Sequence, residues 1–143
     1  MGRLERIWIK PAARAPMTPV DAAELGPKGL LGNAEQGRRN PLTVLSAERW
    51  HRAEAELGTE LDPELRRANL LVSGIDLVDA RGEVLTIGRA QLTIGRECTP
   101  CRLMDDQHPG LMDALRADWG GGAYATVLTP GPIQVGDPVA LSD

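Results

Sequence analysis

Two cysteines, Cys98 and Cys101, are the residues whose type and spacing most directly suggest chemistry in this 143-residue chain. They are the only cysteines in the sequence, and only Thr99 and Pro100 separate them. A thiolate can attack sulfur, bind a soft metal ion or carry an extra sulfur atom as a persulfide. In a reducing compartment, a pair at this spacing is more often catalytic or metal-binding than a structural disulfide. The pair is therefore the first candidate for a functional site.

The residue types alone leave four interpretations of the pair open. A structural zinc site needs four ligands, and the sequence adds only two isolated histidines, His51 and His108. A thioredoxin-like redox pair has this spacing, but it opens a helix in a βαβ unit, whereas the residues before Cys98 predict hairpins. A single reactive thiol is the third interpretation, with Arg96 and Arg102 as neighbouring positive charges. Two buried, inert thiols are the fourth.

A glycine-rich segment, residues 26–41, is a second candidate site. It carries Lys28, Arg38 and Arg39, with only Glu35 of opposite charge. The guanidinium group suits phosphate oxygens, so the segment predicts an anion site. A solvated surface loop is the alternative interpretation.

The elements that must position these residues are mostly short strands. Apolar or alternating runs between glycine and proline turns predict seven or so strands. These runs are residues 4–10, 42–45, 69–72, 84–87, 90–95, 123–128, 133–135 and 139–141. Gly88 and Arg89 predict a tight hairpin between two of them. The cysteines then follow the end of a strand, at the start of a loop.

Helices are predicted at four places and do not alternate with the strands. Thr18 predicts a cap for a short helix to Gly26, and Ser46 predicts a cap for a helix over 47–57. Asp62 begins a helical turn, and a helix is expected over 109–119. This order favours a mainly β fold, a barrel or curled sheet with peripheral helices.

Length and composition restrict the class of protein. The length fits one domain over residues 1–143, and the mixed charges, with a net charge of −4, do not indicate a nucleic-acid or anionic-membrane binder. No apolar run approaches the roughly 20 residues that span a bilayer. Residues 1–6 have no apolar signal core. We therefore expect a cytoplasmic protein.

Four segments, in order, resemble the MOSC domain, the C-terminal domain of molybdenum cofactor sulfurases. They are RANLLVSGIDL (67–77), IGRAQL (87–92), CTPCRLM (98–104) and YATVL (124–128), the last followed by GDPV (136–139). The resemblance runs from about residue 26 to residue 141, and it is to the small stand-alone members of the family. It implies a MOSC-type β-barrel.

The resemblance also implies residue roles. The family's cysteine, which carries sulfur or meets the molybdenum of a pterin cofactor, corresponds to Cys101. In molybdenum-binding relatives, basic and polar residues hold the molybdenum cofactor (molybdopterin). The corresponding cofactor-binding candidates here are Lys10, Arg38, Arg39, Arg67, Asn69 and Ser73.

Together these observations lead to three functional hypotheses. The first is a sulfur carrier: Cys101 accepts sulfur as a persulfide from a separate, pyridoxal phosphate-dependent cysteine desulfurase and delivers it for molybdenum cofactor or metal-sulfur cluster assembly. Cys98 would resolve the persulfide or form a transient disulfide. The alternative is a molybdenum cofactor-binding oxidoreductase with Cys101 as the metal ligand. A non-catalytic adaptor with structural thiols is the third.

Overall fold

The computed structural model describes residues 2–34 and 41–143, and most of them lie in or next to short β-strands. The strands are β1 (Gly2–Ile9), β2 (Thr18–Val20), β3 (Ala22–Gly26), β4 (Gly29–Leu30), β5 (Leu42–Ser46), β6 (Leu70–Ser73), β7 (Val84–Ile87), β8 (Ala90–Glu97), β9 (Ala123–Thr129), β10 (Gly131–Gln134) and β11 (Pro138–Ser142). The helices are α1 (Ala47–Leu57), α2 (Arg102–Gln107) and α3 (Leu111–Ala114), with a 3-10 helix over Pro63–Arg66.

Eight of the strands form one sheet that closes on itself. The sheet has the order β11-β7-β8-β9-β5-β6-β1-β2, and β11 also pairs with β1. Seven strands therefore close a barrel, and β2 extends β1 outside it. Of the strands in the described residues, β5 and β6 alone run parallel, because α1 and the 3-10 helix connect them. The expected mainly β barrel with peripheral helices is confirmed.

Two hydrophobic clusters stabilise this arrangement. Leucine, isoleucine, valine and alanine side chains from the barrel strands fill the interior, among them Leu4, Leu70, Leu85, Leu92 and Ala123. The second cluster packs α1 and α3 against the outside of the barrel around Trp8 and Trp50. Each fully buried leucine or isoleucine contributes about 1.5–3 kcal/mol relative to an exposed one.

Local signals in the sequence determine the ends of α1 as predicted. The Ser46 hydroxyl accepts a hydrogen bond from the backbone N–H of Arg49 at 3.2 Å, and Gly58 ends the helix with a φ of 69°. Asp62 likewise caps the 3-10 helix by accepting from the N–H of Glu64. These caps position the chain that enters β6.

Two of the predicted helices are wrong. Residues 18–26 form β2 and β3 instead, because β2 pairs with β1 and β3 pairs with β10, and this strand pairing outweighs the local capping signal at Thr18. The helix expected over 109–119 is reduced to α3 (Leu111–Ala114), and α2 lies before this segment. Gly110 separates them with a φ of 88°.

No helix within residues 2–34 and 41–143 is long and apolar enough to cross a membrane.

Candidate functional site

The two cysteines lie in different environments although only two residues separate them. Cys98 directly follows β8, and its backbone N–H donates to the Gly122 carbonyl at 2.8 Å. Its side chain is buried, with 5% of the residue exposed. Cys101 precedes α2 and is exposed. Both thiols are free, so the pair combines one enclosed sulfur with one open to solvent.

Arg66 is the charged neighbour of the enclosed sulfur. One terminal nitrogen of its guanidinium donates to Cys98 Sγ, and Nε donates to the Gly121 carbonyl at 2.8 Å. The residue is only 9% exposed. Neither of these partners is a carboxylate, and arginine stays protonated in proteins. A buried positive charge therefore faces the Cys98 sulfur and stabilises negative charge there.

Tyr124, on β9, lies next to the same sulfur. The hydrogen bond between its hydroxyl and the Cys98 side chain raises the pKa of Tyr124, and burial and the charge of Cys98 raise it further. The positive charges of Arg96 and Arg66 oppose this shift. Arg96 lies over the tyrosine ring, 4.7 Å from its centroid. Tyr124 thus keeps its proton at neutral pH and acts as a hydrogen-bond donor.

Gly121 fits this site because it has no side chain. A Cβ atom at this position would collide with the Cys98 carbonyl oxygen and would lie 3.1 Å from Pro100. The absence of a side chain at Gly121 therefore lets the chain between α3 and β9 pass directly against the cysteine segment.

Two of the predicted cofactor-binding residues, Lys10 and Arg67, lie near each other. Burial, and then the positive charge of Arg67, lower the pKa of Lys10. Arg67 donates to the Ala15 carbonyl at 2.7 Å. Since Arg67 directly follows Arg66, the basic pair is close in the chain to the residue that contacts Cys98. The positive charges of Lys10 and Arg67 therefore lie in the same region, and such a pair of charges suits an anion.

Asn69 uses all of its hydrogen-bonding capacity within the fold. Its amide nitrogen donates to the Trp8 carbonyl and to Asn33 Oδ1, at 3.1 and 3.0 Å. Its oxygen accepts from the Thr43 backbone N–H and hydroxyl, at 3.1 and 3.4 Å. An asparagine side chain has two donors and two acceptor sites, so none remains for a ligand in this conformation. Asn69 therefore connects β1, β5 and the segment before residue 35.

Ser73 lies at the opposite end of β6 from Asn69. Its hydroxyl donates to Glu5 Oε2 at 2.6 Å. The structure therefore does not place Ser73 beside the cysteines, and its proposed contact with a cofactor stays a prediction. Arg38 and Arg39 lie outside the described residues, so the anion site expected there also stays a prediction.

The other sequence candidates are less informative. His51 is exposed and pairs with Glu54 at 2.8 Å. His108 contacts the carbonyl of Pro109 through Nδ1 at 3.0 Å. Among residues 2–34 and 41–143, no group of three or more His, Cys, Asp and Glu side chains is arranged to hold a metal ion.

Sequence reasoning did not identify Arg66, Gly121 or Tyr124 as site residues. Tyr124 belongs to one of the segments that carry the family resemblance, and Gly121 is in a glycine run, so both carried a signal. Arg66 carried none, because it is 32 residues from Cys98 in the sequence and is adjacent to another arginine.

A cavity of about 400 Å³ adjoins Tyr124 on the outside of the barrel. Arg81 and Arg96 line it, together with Thr93, Gly95 and residues of β9. None of the described residues that line this cavity is acidic. A small anion therefore suits it better than a cation.

Comparison with known proteins places these features in a family. The profile of the MOSC domain matches residues 32–140, more than half of the chain. YuaD from Bacillus subtilis superimposes with a TM-score of 0.81 at 21% identity, covering 100% of this chain and 97% of that one. YiiM from Geobacillus stearothermophilus gives 0.74 at 19% identity, with 100% and 76% coverage. YiiM from Escherichia coli gives 0.70 at 17%, with 99% and 70% coverage. No curated protein sequence matches the chain.

Proposed function

Because this chain belongs to the MOSC domain family, a molybdenum cofactor-related family, we propose that it is a sulfur carrier in which Cys101 holds a sulfane sulfur as a persulfide. The observation that supports this most is the exposure of Cys101 at the start of α2. A thiol that receives sulfur from a separate protein must be reachable by that protein's own sulfur-bearing group. Cys98, enclosed beside Arg66, is not.

The surroundings of Cys101 suit a protein partner. Arg102 and Leu103, the first two residues of α2, are exposed, and 61% of Leu103 is accessible. An exposed leucine beside a reactive thiol offers apolar contact area to a donor protein, for which we propose a cysteine desulfurase. The acceptor is an intermediate of molybdenum cofactor or metal-sulfur cluster assembly, and a cytoplasmic location agrees with the free thiols.

Sulfur loading tests this assignment. The chain, sampled early in an incubation without oxygen with a cysteine desulfurase and cysteine, is expected to gain the mass of one sulfur atom, which a reductant removes. Cys101→Ser should not gain it, whereas Cys98→Ser, the matched control, should. Normal loading of Cys101→Ser would show that Cys101 is not the carrier.

A second candidate function, an oxidoreductase that binds the molybdenum cofactor through Cys101, is favoured by one observation. Lys10 and Arg67 bring two positive charges together, which suits the phosphate of a pterin cofactor. A thiolate is also a soft metal ligand. Asn69, however, offers no free hydrogen-bonding group, and Ser73 lies at the far end of its strand.

The residues present therefore fit the cofactor only in part: Lys10 and Arg67 would hold its phosphate, and Cys101 would bind its metal. When bound, such a cofactor supplies oxygen-atom or electron transfer. Metal analysis and the fluorescence of an oxidised pterin, measured on protein purified without oxygen, test this candidate. Stoichiometric molybdenum that is lost in Cys101→Ser would support it, and its absence would leave the carrier as the proposed function.

A further inference from the structure

Cys98 is a buried nucleophilic group with its own set of partners, and the loading of Cys101 with sulfur does not use it. The Arg66 guanidinium and the Tyr124 hydroxyl both contact its sulfur. Arg66 itself is nine-tenths buried. Among the described residues, its hydrogen-bond acceptors are this sulfur and the Gly121 carbonyl. The Cys98 sulfur is therefore the nucleophilic atom that this buried positive charge contacts.

We infer that Cys98 attacks the persulfide on Cys101, so that the sulfur leaves this protein as hydrosulfide. The inference rests on the proposed carrier function and names the species that the carrier releases. Arg66 acts as a positioning residue, because it orients the Cys98 sulfur and stabilises its charge without contacting the transferred atom.

The step balances without an additional reagent. The Cys98 thiolate forms a bond to the Cys101 Sγ atom, and the bond between Sγ and the outer sulfur breaks. The outer sulfur keeps the bonding pair and its proton and leaves as HS⁻. The product is a disulfide between Cys98 and Cys101. A dithiol reductant then supplies two electrons and two protons, which restore both thiols for the next cycle.

The backbone makes Cys98 the fixed partner and Cys101 the moving one. Cys98 is held by the Gly122 carbonyl and by close packing of its segment on Gly121. Three residues span at most about 11 Å between Cα atoms when fully extended, and a disulfide needs about 4.4–6.8 Å. The step therefore requires the exposed Cys101 segment to turn towards the barrel. The side chain of Cys101 makes no capping hydrogen bond to α2, so the thiol itself is free to turn.

The positive surroundings of Cys98 favour a small anionic product. Arg66 faces the sulfur, and Arg96 lies over the Tyr124 ring and lines the same cavity as Arg81. Hydrosulfide is an anion and leaves more readily where positive charge is near.

The test is to follow sulfide after the carrier is loaded. The wild-type chain and Cys98→Ser are loaded by a cysteine desulfurase and cysteine without oxygen, separated from the donor, and incubated without added thiol. The wild type is expected to release sulfide and to become lighter than the dithiol form by two hydrogens, as an intramolecular disulfide requires. Cys98→Ser should load equally, keep its sulfur, and release it only when dithiothreitol is added.

Two arginine variants distinguish a positioning role of Arg66 from an effect on the overall stability of the fold. Arg66→Lys keeps a positive charge but cannot reach the Cys98 sulfur and the Gly121 carbonyl together, so sulfide release should slow about tenfold or more while loading is unchanged. Arg49→Lys is the matched control, because Arg49 is equally buried but contacts only the carbonyls of Ala114 and Ala117. It should release sulfide at the wild-type rate.

The outcomes distinguish this inference from the function on which it rests. Equal release from wild type and Cys98→Ser, or no disulfide in the wild type, would overturn the role of Cys98 and leave the carrier intact. Equal slowing by Arg66→Lys and Arg49→Lys would remove the positioning role of Arg66. If the wild-type chain does not take up sulfur, the carrier function and this inference fail together.

Discussion

The end of β8 and the start of α2 each present one cysteine, and they present it in opposite ways. Cys98 is enclosed by a guanidinium, a phenol and the glycine-rich chain that precedes β9. Cys101 is exposed, and α2 contributes only Met104 to the core. The difference shows that the spacing of two thiols in a sequence does not determine whether they share the same exposure and neighbours. Here one suits exchange with a partner, and the other suits a reaction within the chain.

Thiol accessibility should show the largest difference between the two regions. In the native state, a bulky alkylating reagent should modify Cys101 at least about 100-fold faster than Cys98. Cys98 reacts only when the structure around the end of β8 opens locally. The variants Cys98→Ser and Cys101→Ser each leave one thiol, and the mass of the product over time gives both rates. Comparable rates would mean that Cys98 is not enclosed in solution.

Removing the Arg66 guanidinium should destabilise the region around Cys98. Arg66→Met leaves the Gly121 carbonyl without its buried donor and should lower the free energy of unfolding by about 2–4 kcal/mol. Denaturant unfolding measures this. Arg52→Met is the control, since Arg52 pairs with Asp118 at the exposed surface, and it should have a much smaller effect. Similar losses in both variants would argue against a special role for Arg66.

A side chain at Gly121 should disturb the same region by a steric route. Gly121→Ala places a Cβ against the Cys98 carbonyl oxygen and Pro100 and should cost about 1–3 kcal/mol. In the control, Gly131→Ala, the nearest atom would lie at 3.6 Å, an ordinary contact. Thermal or denaturant unfolding compares the two. Wild-type stability of Gly121→Ala would contradict the close packing against the cysteine segment.

The smallest expected effect concerns pH. The pKa of Tyr124 is raised in the folded chain. The contribution of Tyr124 to the free energy of unfolding is therefore fully present below the ordinary tyrosine pKa of 10 and is lost as the pH rises through the folded-state pKa. Stability of the wild type should therefore fall above about pH 10. Tyr124→Phe should fall less steeply, because its contribution does not titrate. If the free energies of unfolding of the two proteins change in parallel between pH 8 and 11, folding does not raise the pKa of Tyr124.

Much of the fold follows from local signals in the sequence. Ser46 and Gly58 define α1, Gly88 and Arg89 turn the chain between β7 and β8, and short apolar runs indicate the barrel strands. Residues 18–26 show the limit, because a capping threonine and a proline favour a helix locally, whereas pairing with β1 and β10 makes them strands. Local propensity is a weaker determinant than the completion of a sheet.

From the sequence, only the two cysteines and the positively charged residues of the site could be predicted. The two cysteines, Lys10 and Arg67 were candidates by type and by family resemblance. The contact between Arg66 and Cys98 was not, because it depends on how the 3-10 helix meets the end of β8 across 32 residues of sequence. Asn69 shows the converse: the sequence marks it as a site residue, while its hydrogen bonds connect strands of the barrel.

The measurement that tests the central claim most directly is the position of the sulfane sulfur after loading. Cleavage after Arg96 and Arg102 gives a peptide of residues 97–102 that contains both cysteine positions, and in Cys98→Ser it keeps Cys101 alone. Fragment spectra of this peptide from Cys98→Ser loaded by a desulfurase, trapped with an alkylating reagent, assign the sulfur to one residue. A persulfide adduct on Cys101 is the predicted result. An unloaded Cys101 in this variant, together with an adduct on Cys98 in Cys101→Ser, would contradict the account.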